Sequence, residues 1–463
     1  MDGSSAVTRM AAELRALVAR GRPGERLPSV RALTAAHEAS PVTVSRAFAM
    51  LAEEGLVVPR VGAGTFIADR PAEEPAQDVA WQCLALGEGP DATGLMALAE
   101  GTPPGTLRLA SGYPDASLHP TRDLARLMNG ILRADDAWER APLAGLEELR
   151  AWFARRAGGG ATAADVLIVG GGQAAIRTAL QATTRPGDRV LLESPTYLGA
   201  TAAARALGLE PVPVPVDAHG LRPDLLAEAF ERTGAKVLYC QPAFQNPTGA
   251  TLPADRRAEV LRLARRHFAF VIEDDYAADL AFDGPSPAPL FGEDDGHVIY
   301  LRSLTKSFAP SLRIAGVCAR GPVMRRLGAS RALDDFFVPR PLQALALAFA
   351  QSPALGRHLA RMRAALAERM ERAVACARAL APLATVPLRP RGGFSLWLEL
   401  APGGLDEQEV TRRAARAGVA VSPGALWYPG EPVGRHLRVS VMGGPPAVLD
   451  AGFQRLADAL AGG

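Results

Sequence analysis

Three observations predict an α/β protein built from two unlike parts. Over the first seventy residues, three short helical stretches precede two β-rich arms around a glycine turn, the pattern of a winged helix-turn-helix. From about residue 107, short apolar β-branched runs alternate with helical stretches, which predicts a mainly parallel sheet with helices on both faces. The third observation is compositional: arginine supplies nearly all of the 51 Lys+Arg positions, and only Lys236 and Lys306 are lysines among 463 residues. Lysine alone of these two bases readily deprotonates to a nucleophile that can form a Schiff base, so Lys306 is the first candidate for chemistry.

A chain of 463 residues exceeds one ordinary core and divides into two or three domains, at roughly 100–200 residues each. Hydrophobic content of 48% and charged content of 22% describe a soluble globular protein. No apolar run approaches the roughly 20 residues of a membrane helix, and no basic segment followed by an apolar core opens the chain. Neither anchor nor signal peptide is expected, and the cytoplasm is the default. Cys83, Cys240, Cys318 and Cys376 form no CxxC pair and the seven histidines are scattered, which excludes a disulfide framework and predicts no metal site. A net charge of +2 names no partner, so nucleic-acid binding must rest on local motifs.

Residues 4 to 20 carry helical apolar spacing. Ser29 caps a second helix, and Ser40-Pro41 starts a third that ends before Gly55. Val57 to Ile67 supplies the hairpin. Residues 1 to 70 hold nine arginines against seven acids, so no basic stripe argues for DNA by charge. The motifs do: Leu27-Pro28-Ser29-Val30-Arg31, then Thr43-Val44-Ser45-Arg46-Ala47, then Gly62-Ala63-Gly64-Thr65-Phe66 resemble, in order, the GntR family of regulators. That resemblance implies a third helix in the DNA major groove, with contacts from Arg31, Thr43, Ser45, Arg46 and the wing near Gly64.

Residues 70–106, rich in proline, read as a linker between domain 1–69 and domain 107–463. Gly94 to Glu100 fits a short helix packing on the following domain, and Trp81 is a candidate anchor.

The predicted strands of the large region are Asp165 to Val169, Arg189 to Glu193, Lys236 to Cys240, Phe270 to Glu273, Val298 to Leu301 and Gly316 to Ala319. A large part spans about 150–340, and a smaller C-terminal α+β part about 345–463. In such folds ligands bind beyond the strand ends, where this chain carries its unusual residues. Gly170-Gly171-Gly172-Gln173 opens a helix and offers backbone amides to an anion. Tyr197 brings an aromatic ring and Asn246 an amide, while Glu273-Asp274-Asp275 runs a strand into acids that need a cation when buried. Lys306 follows another strand, with Ser303 before it and Arg313 after it.

A lysine, an anion site, a stacking ring, an asparagine and a buried carboxylate in this order resemble fold-type I PLP-dependent aminotransferases. With the winged helix in front, the chain resembles the MocR subfamily of GntR regulators. The resemblance implies pyridoxal 5'-phosphate (PLP) as cofactor. Lys306 would hold it as a Schiff base, Asp274 would pair with its ring nitrogen, and Tyr197 would stack on the ring. Asn246 and Tyr276 would bond its phenolic oxygen, and Ser303, Arg313, Gly172 and Gln173 its phosphate. Arg438 matches the arginine that grips a substrate carboxylate. A homodimer reading double-stranded operator DNA and answering an amine, amino acid or vitamin B6 species is implied by the same resemblance.

One departure is visible: where the family often has Y-x-D-P-x-G, this chain reads Glu139-Arg140-Ala141-Pro142-Leu143-Ala144-Gly145, with Arg140 as a candidate substitute. A serine acylase fits Ser303-Leu304-Thr305-Lys306 as S-x-x-K but lacks its K-T-G, since Lys236 is followed by Val237-Leu238. The remaining alternative is an aminotransferase carrying an accessory DNA-binding extension.

Overall fold

The computed structural model describes residues 3–37, 39–60, 63–68, 79, 81–86, 89, 93–100 and 102–461. They fall into two compact units, Met1–Gly89 and Pro90–Gly463.

The first unit holds α1 (Gly3–Arg20), α2 (Val30–Ala36), α3 (Pro41–Glu53) and the hairpin β1 (Val57–Arg60) and β2 (Gly64–Ile67). Ser29 Oγ accepts the Ala32 amide and Ser40 Oγ the Thr43 amide, each neutralising an otherwise orphaned donor at a helix start. Val44, Ala47, Phe48 and Leu51 recur at helical spacing on α3 and are buried against Met10, Ala11 and Leu14 of α1. The opposite stripe of α3, Val42, Ser45, Arg46 and Ala49, is exposed. β1 and β2 pair from Val57↔Ile67 to Arg60↔Gly64; Val61 and Gly62, within the sequence-predicted turn, lie outside the described residues. Trp81, in the short α4 (Trp81–Leu86), is 63% exposed.

In the second unit, α5 (Thr93–Glu100) leads to β3 (Leu107–Arg108), α6 (Thr121–Ile131) and α7 (Glu147–Ala157). Then come β4 (Val166–Val169), α8 (Gly172–Thr183), β5 (Arg189–Ser194), α9 (Leu198–Ala206), β6 (Glu210–Asp217), β7 (Gly220–Leu221) and α10 (Pro223–Thr233). Next are β8 (Val237–Cys240), α11 (Ala254–His267), β9 (Phe270–Asp275), β10 (Val298–Ser303), β11 (Ala315–Cys318), α12 (Val323–Asp334) and α13 (Arg340–Gln351). The eight strands order β4-β11-β10-β9-β8-β5-β6-β7. β10, β9, β8, β5 and β6 run parallel, whereas β11 is antiparallel to both its neighbours.

β6 is absent from the sequence reading because Glu210 to Asp217 has proline at every second position from 211 to 215. Proline cannot donate to a ladder, so the run does not resemble a strand. Along this stretch β6 pairs only with β5, and alternate missing N–H groups cost little on an outer strand.

The smaller layer is the sheet β12 (Ala384–Thr385), β13 (Ser395–Leu400), β16 (His436–Ser440) and β15 (Ser422–Pro423), in that order. It packs with α14 (Pro353–Arg378), α15 (Glu407–Arg416) and α16 (Pro446–Ala461), while β14 (Val419–Ala420) pairs with β3. α14 spans both cores: Ala354 and Leu355 belong to the large one, Met362 to Ala377 to the small one. Leu109 and Leu118 also join the small core, so the chain enters through the smaller layer before building the larger.

Candidate functional site

Where the parallel strands end, one pocket collects residues that lie far apart in sequence. Gly172, Gln173, Tyr197, Asn246, Asp274, Tyr276, Ser303, Lys306, Arg313 and Arg438 all line it. The parallel register that sets Leu301 beside Asp274 explains why the β9 carboxylate and the lysine after β10 share a mouth.

Lys306 Nζ stands 3.8 Å above the centre of the Tyr113 ring. Desolvation, reinforced by Arg438 and Arg313 and opposed by Asp274, lowers its pKa to about 7. Much of the amine is therefore neutral, and nucleophilic, near physiological pH.

Asp274 is buried, and burial raises its pKa. Tyr239 Oη donates to Oδ2 at 2.7 Å and Gln241 Nε2 donates to the same oxygen at 2.9 Å, pulling the other way. No ion pair neutralises this carboxylate among the described residues.

Gly171, with φ +94°, caps α8. A Cβ there would meet Arg313 Nη2 at 2.7 Å, so glycine is what lets the guanidinium close on the helix start. Arg313 itself has φ +49° and donates from Nη2 to Gly170 O at 3.2 Å. A Cβ on Gly172 would lie 3.7 Å from Ser303 Oγ, which places that hydroxyl at the same helix end. Free amides, a helix dipole, a hydroxyl and a guanidinium make an anion cradle. Gln173 Nε2 is used by Gly199 O, and its Oε1 is buried without a hydrogen-bond partner.

Arg438, on β16, is 1% exposed and unpaired with any carboxylate among the described residues. Its Nε donates to Asn246 Oδ1 at 2.9 Å and Ser395 Oγ at 3.1 Å, and Nη1 donates to Ala110 O at 3.1 Å. Burial lowers its pKa to about 10. The guanidinium lies 4.6 Å from the Trp427 ring centre.

Tyr276 Oη donates to Phe244 O at 2.5 Å, so its proton is engaged within the protein. Arg140, a candidate for a contact made across a dimer, is exposed in the single chain.

Residues the sequence reading missed include Tyr239, Gln241, Tyr113, Thr305, Phe394 and Trp427. Tyr239 lies on β8 and Gln241 just beyond its end, and their target on the neighbouring strand emerges only from register. Leu95 and Leu98 of α5 also line the pocket, packing with Trp427 and Tyr197. Thr196 N donates to Trp427 O at 2.7 Å, tying the loop before Tyr197 to this wall.

In the first unit, Arg31, Ser45 and Arg46 are exposed, and Thr43 Oγ1 lies 2.9 Å from Ser40 Oγ. Gly64 has φ +111°, and a Cβ there would meet Arg26 Nε at 2.8 Å. Arg26, not singled out by sequence, thus packs beside the wing.

Residues 106–456 match Aminotransferase class I and II. The chain belongs to that family. Residues 7–67 match Bacterial regulatory proteins, gntR family, so the family's domain here follows a gntR segment. The chain is 31% identical over 424 residues to the HTH-type transcriptional regulator YjiR of Escherichia coli, covering 88% of each. To the HTH-type transcriptional regulator TauR of Rhodobacter capsulatus it is 30% identical, covering 96% of this chain and 94% of that one. Among solved structures, the α-aminoadipate aminotransferase LysN of Thermus thermophilus, complexed with N-(5'-phosphopyridoxyl)-L-leucine, superposes with TM-score 0.77 at 30% identity, covering 82% of this chain and 98% of that one. Fusion of a gntR segment to this aminotransferase domain is the architecture of the MocR regulators, in agreement with the sequence reading.

Proposed function

We propose that the protein is a PLP-dependent transcription regulator whose aminotransferase-like unit senses an amino compound or a vitamin B6 species. The observation that carries this reading is one pocket holding a lysine, an anion cradle, an unpaired buried carboxylate and an unpaired buried guanidinium, in a chain that begins with a gntR segment. The donor set fits PLP. Gly172, Gln173, Ser303 and Arg313 would hold its phosphate, Asp274 its ring nitrogen, Tyr197 its face and Asn246 its phenolic oxygen, with Tyr276 beside them. PLP, when bound, supplies an electrophilic carbonyl and an electron-withdrawing ring. Lys306 supplies the amine that captures it.

The chain arriving from the winged helix enters the second unit through α5, whose Leu95 and Leu98 line the pocket. Ligand occupancy that favours one position of α5 would alter DNA affinity by the same coupling energy that DNA exerts on the ligand. A homodimer contacting two half-sites of double-stranded operator DNA in the cytoplasm completes the reading. No helix among the described residues is long and apolar enough to cross a membrane.

The test is binding to the promoter DNA beside its own gene, with and without PLP and amino compounds. Specific, salt-dependent binding that shifts with ligand is expected; binding equal to that of random DNA under every condition would falsify the regulator reading. In the same assay, Arg46→Ala on the exposed stripe of α3 is expected to weaken operator binding about tenfold or more, at the low end of what one base or phosphate contact contributes.

A second expected result concerns pH. A lysine whose pKa is about 7 gains its neutral form between about pH 6 and 8, so PLP capture by the apo protein should accelerate over that window and level off above it. An unperturbed lysine would keep accelerating toward about pH 10. Stopped-flow absorbance across pH 6–9 (about three units) separates the two.

An aminotransferase with a DNA-binding extension is the other reading, favoured by Asn246 and Arg438 both standing in the pocket. It requires pyridoxamine phosphate and an oxo acid to accumulate when amino acids are added.

A further inference from the structure

The aromatic ring beneath Lys306 is carried by a fastened loop. Tyr113 lines the pocket with its ring centre 3.8 Å from Lys306 Nζ, and the next ring, Phe394, is at 5.8 Å. Ser111 Oγ accepts the Tyr113 amide at 3.2 Å and donates to the Tyr113 carbonyl at 3.0 Å, which holds the backbone that presents the ring. Beyond it, Asp115 pairs with the buried Arg369 of α14 at 2.7 Å, and the Asp115 amide donates to Met442 O at 3.0 Å. Arg438 Nη1 donates to Ala110 O at the other end of the loop. Residues 110–115 are thus tied to the smaller layer, while their aromatic side chain meets a lysine of the larger one.

The face of an aromatic ring attracts a cation and offers a neutral amine no comparable gain. Around Lys306, burial most strongly disfavours the ammonium; Arg438 of β16 and Arg313 before β11 repel it, and Asp274 of β9 attracts it. The phenols of Tyr197 and Tyr276 in the same lining stay neutral, because burial raises both. The Tyr113 face, at contact distance and inside the pocket, adds a second attraction to that of Asp274. The ammonium must give one proton to water before its lone pair can attack a carbonyl, and the ring holds that proton back.

Resting on the reading of Lys306 as the amine that captures PLP, we propose that Tyr113 is a positioning residue, a platform on which this amine rests as a cation before capture. The ring keeps Nζ within the pocket and sets how readily its proton is lost.

Lys236 and Lys306 are the only lysines, so acetylation of each by acetic anhydride can be followed by peptide mass spectrometry across pH in the full-length apo protein. The midpoint of the Lys306 profile is expected at about pH 7 in the unaltered chain and about one pH unit lower in Tyr113→Leu, the scale of a desolvated cation–π contact. Tyr113→Phe, which keeps the face and loses only the hydroxyl, should hold the unaltered midpoint, and Tyr113→Trp, with the stronger face, should raise it. Lys236, whose Nζ donates to His267 O, should give the same profile in every variant and reports that the fold is retained. An unchanged Lys306 midpoint in the leucine variant overturns the proposal; where that variant does not fold, an unchanged midpoint in the tryptophan variant does so. A phenylalanine variant that moves with the leucine one overturns it as well. PLP capture, read by visible absorbance, should follow the same order of midpoints. Ordered acetylation midpoints in a protein that never gains absorbance with PLP overturn the cofactor reading and leave the contact standing, whereas absorbance without that order overturns the platform alone.

Discussion

Lys306→Ala is expected to eliminate the visible absorbance that PLP acquires on covalent capture and to make promoter binding indifferent to amino compounds. The amine is the only lysine lining the pocket, and its pKa of about 7 makes it the group that can attack a carbonyl at neutral pH. The phosphate cradle does not include Lys306, so PLP should still bind the alanine variant through Ser303, Arg313 and the α8 amides, more weakly by about two orders of magnitude or more. Lys306→Arg separates charge from chemistry: it keeps a cation between Asp274 and Tyr113 but cannot form the Schiff base. Equal failure of both variants assigns the effect to the covalent bond, whereas recovery in the arginine variant would reduce Lys306 to an electrostatic role. Lys236→Ala is the control. Its Nζ donates to His267 O at 2.6 Å, outside the pocket, and the variant should retain the full absorbance.

The residues proposed to carry chemistry were legible because each breaks a local expectation. A lysine in an arginine-rich chain, three glycines opening a helix, and acids at the end of an apolar strand all depart from the local pattern. The Ser and Pro punctuation of α2 and α3 was legible for a related reason: capping is local, so four residues suffice to see it. What stayed hidden depends on contacts distant in sequence. Tyr239, on β8, and Gln241, just past its end, both donate to Asp274 on β9, and nothing within either segment names the partner. β6 was hidden by its prolines, which local propensity reads as loop and an outer position in the sheet tolerates. The short helix expected over Gly94 to Glu100 forms as α5, and its Leu95 and Leu98 pack with Trp427. The acceptor of the Tyr276 hydroxyl in the protein, the carbonyl of Phe244 at 2.5 Å, likewise lies far away in sequence.

The hydrogen bonds to Asp274 matter because the ring nitrogen needs a carboxylate that stays ionised. Burial raises its pKa, while Tyr239 and Gln241 stabilise the charged form. Tyr239→Phe should therefore move the Asp274 carboxyl further upward, so that any amino-acid response falls away at a higher pH than in the unaltered protein as acid is added. A pH titration of that response checks the sign: the acid limb shifts to higher pH, and PLP loading at pH 8 (about one unit above the lysine) is largely retained.

Arg438 supplies the other large effect, through ligand discrimination rather than cofactor capture. Because it is buried, lines the pocket and has no carboxylate partner among the described residues, it should stabilise a bound carboxylate far more than an exposed arginine would. Arg438→Gln is expected to leave PLP absorbance in place and to weaken phenylalanine binding by roughly 100-fold or more, the cost of losing one partner of a buried charge pair. Phenylethylamine, identical except for the missing carboxylate, should be scarcely affected. In the unaltered protein phenylalanine should bind far better than phenylethylamine; in the variant that preference should collapse. Arg438→Lys should recover only part of it, since an ammonium keeps the charge but cannot hold Asn246 Oδ1, Ser395 Oγ and a carboxylate from one planar fork. Equal losses for both ligands would mean that Arg438 merely supports the pocket wall. The ratio of the two affinities therefore separates carboxylate recognition from structural support even where the variant is less stable, because both ligands report on the same folded population.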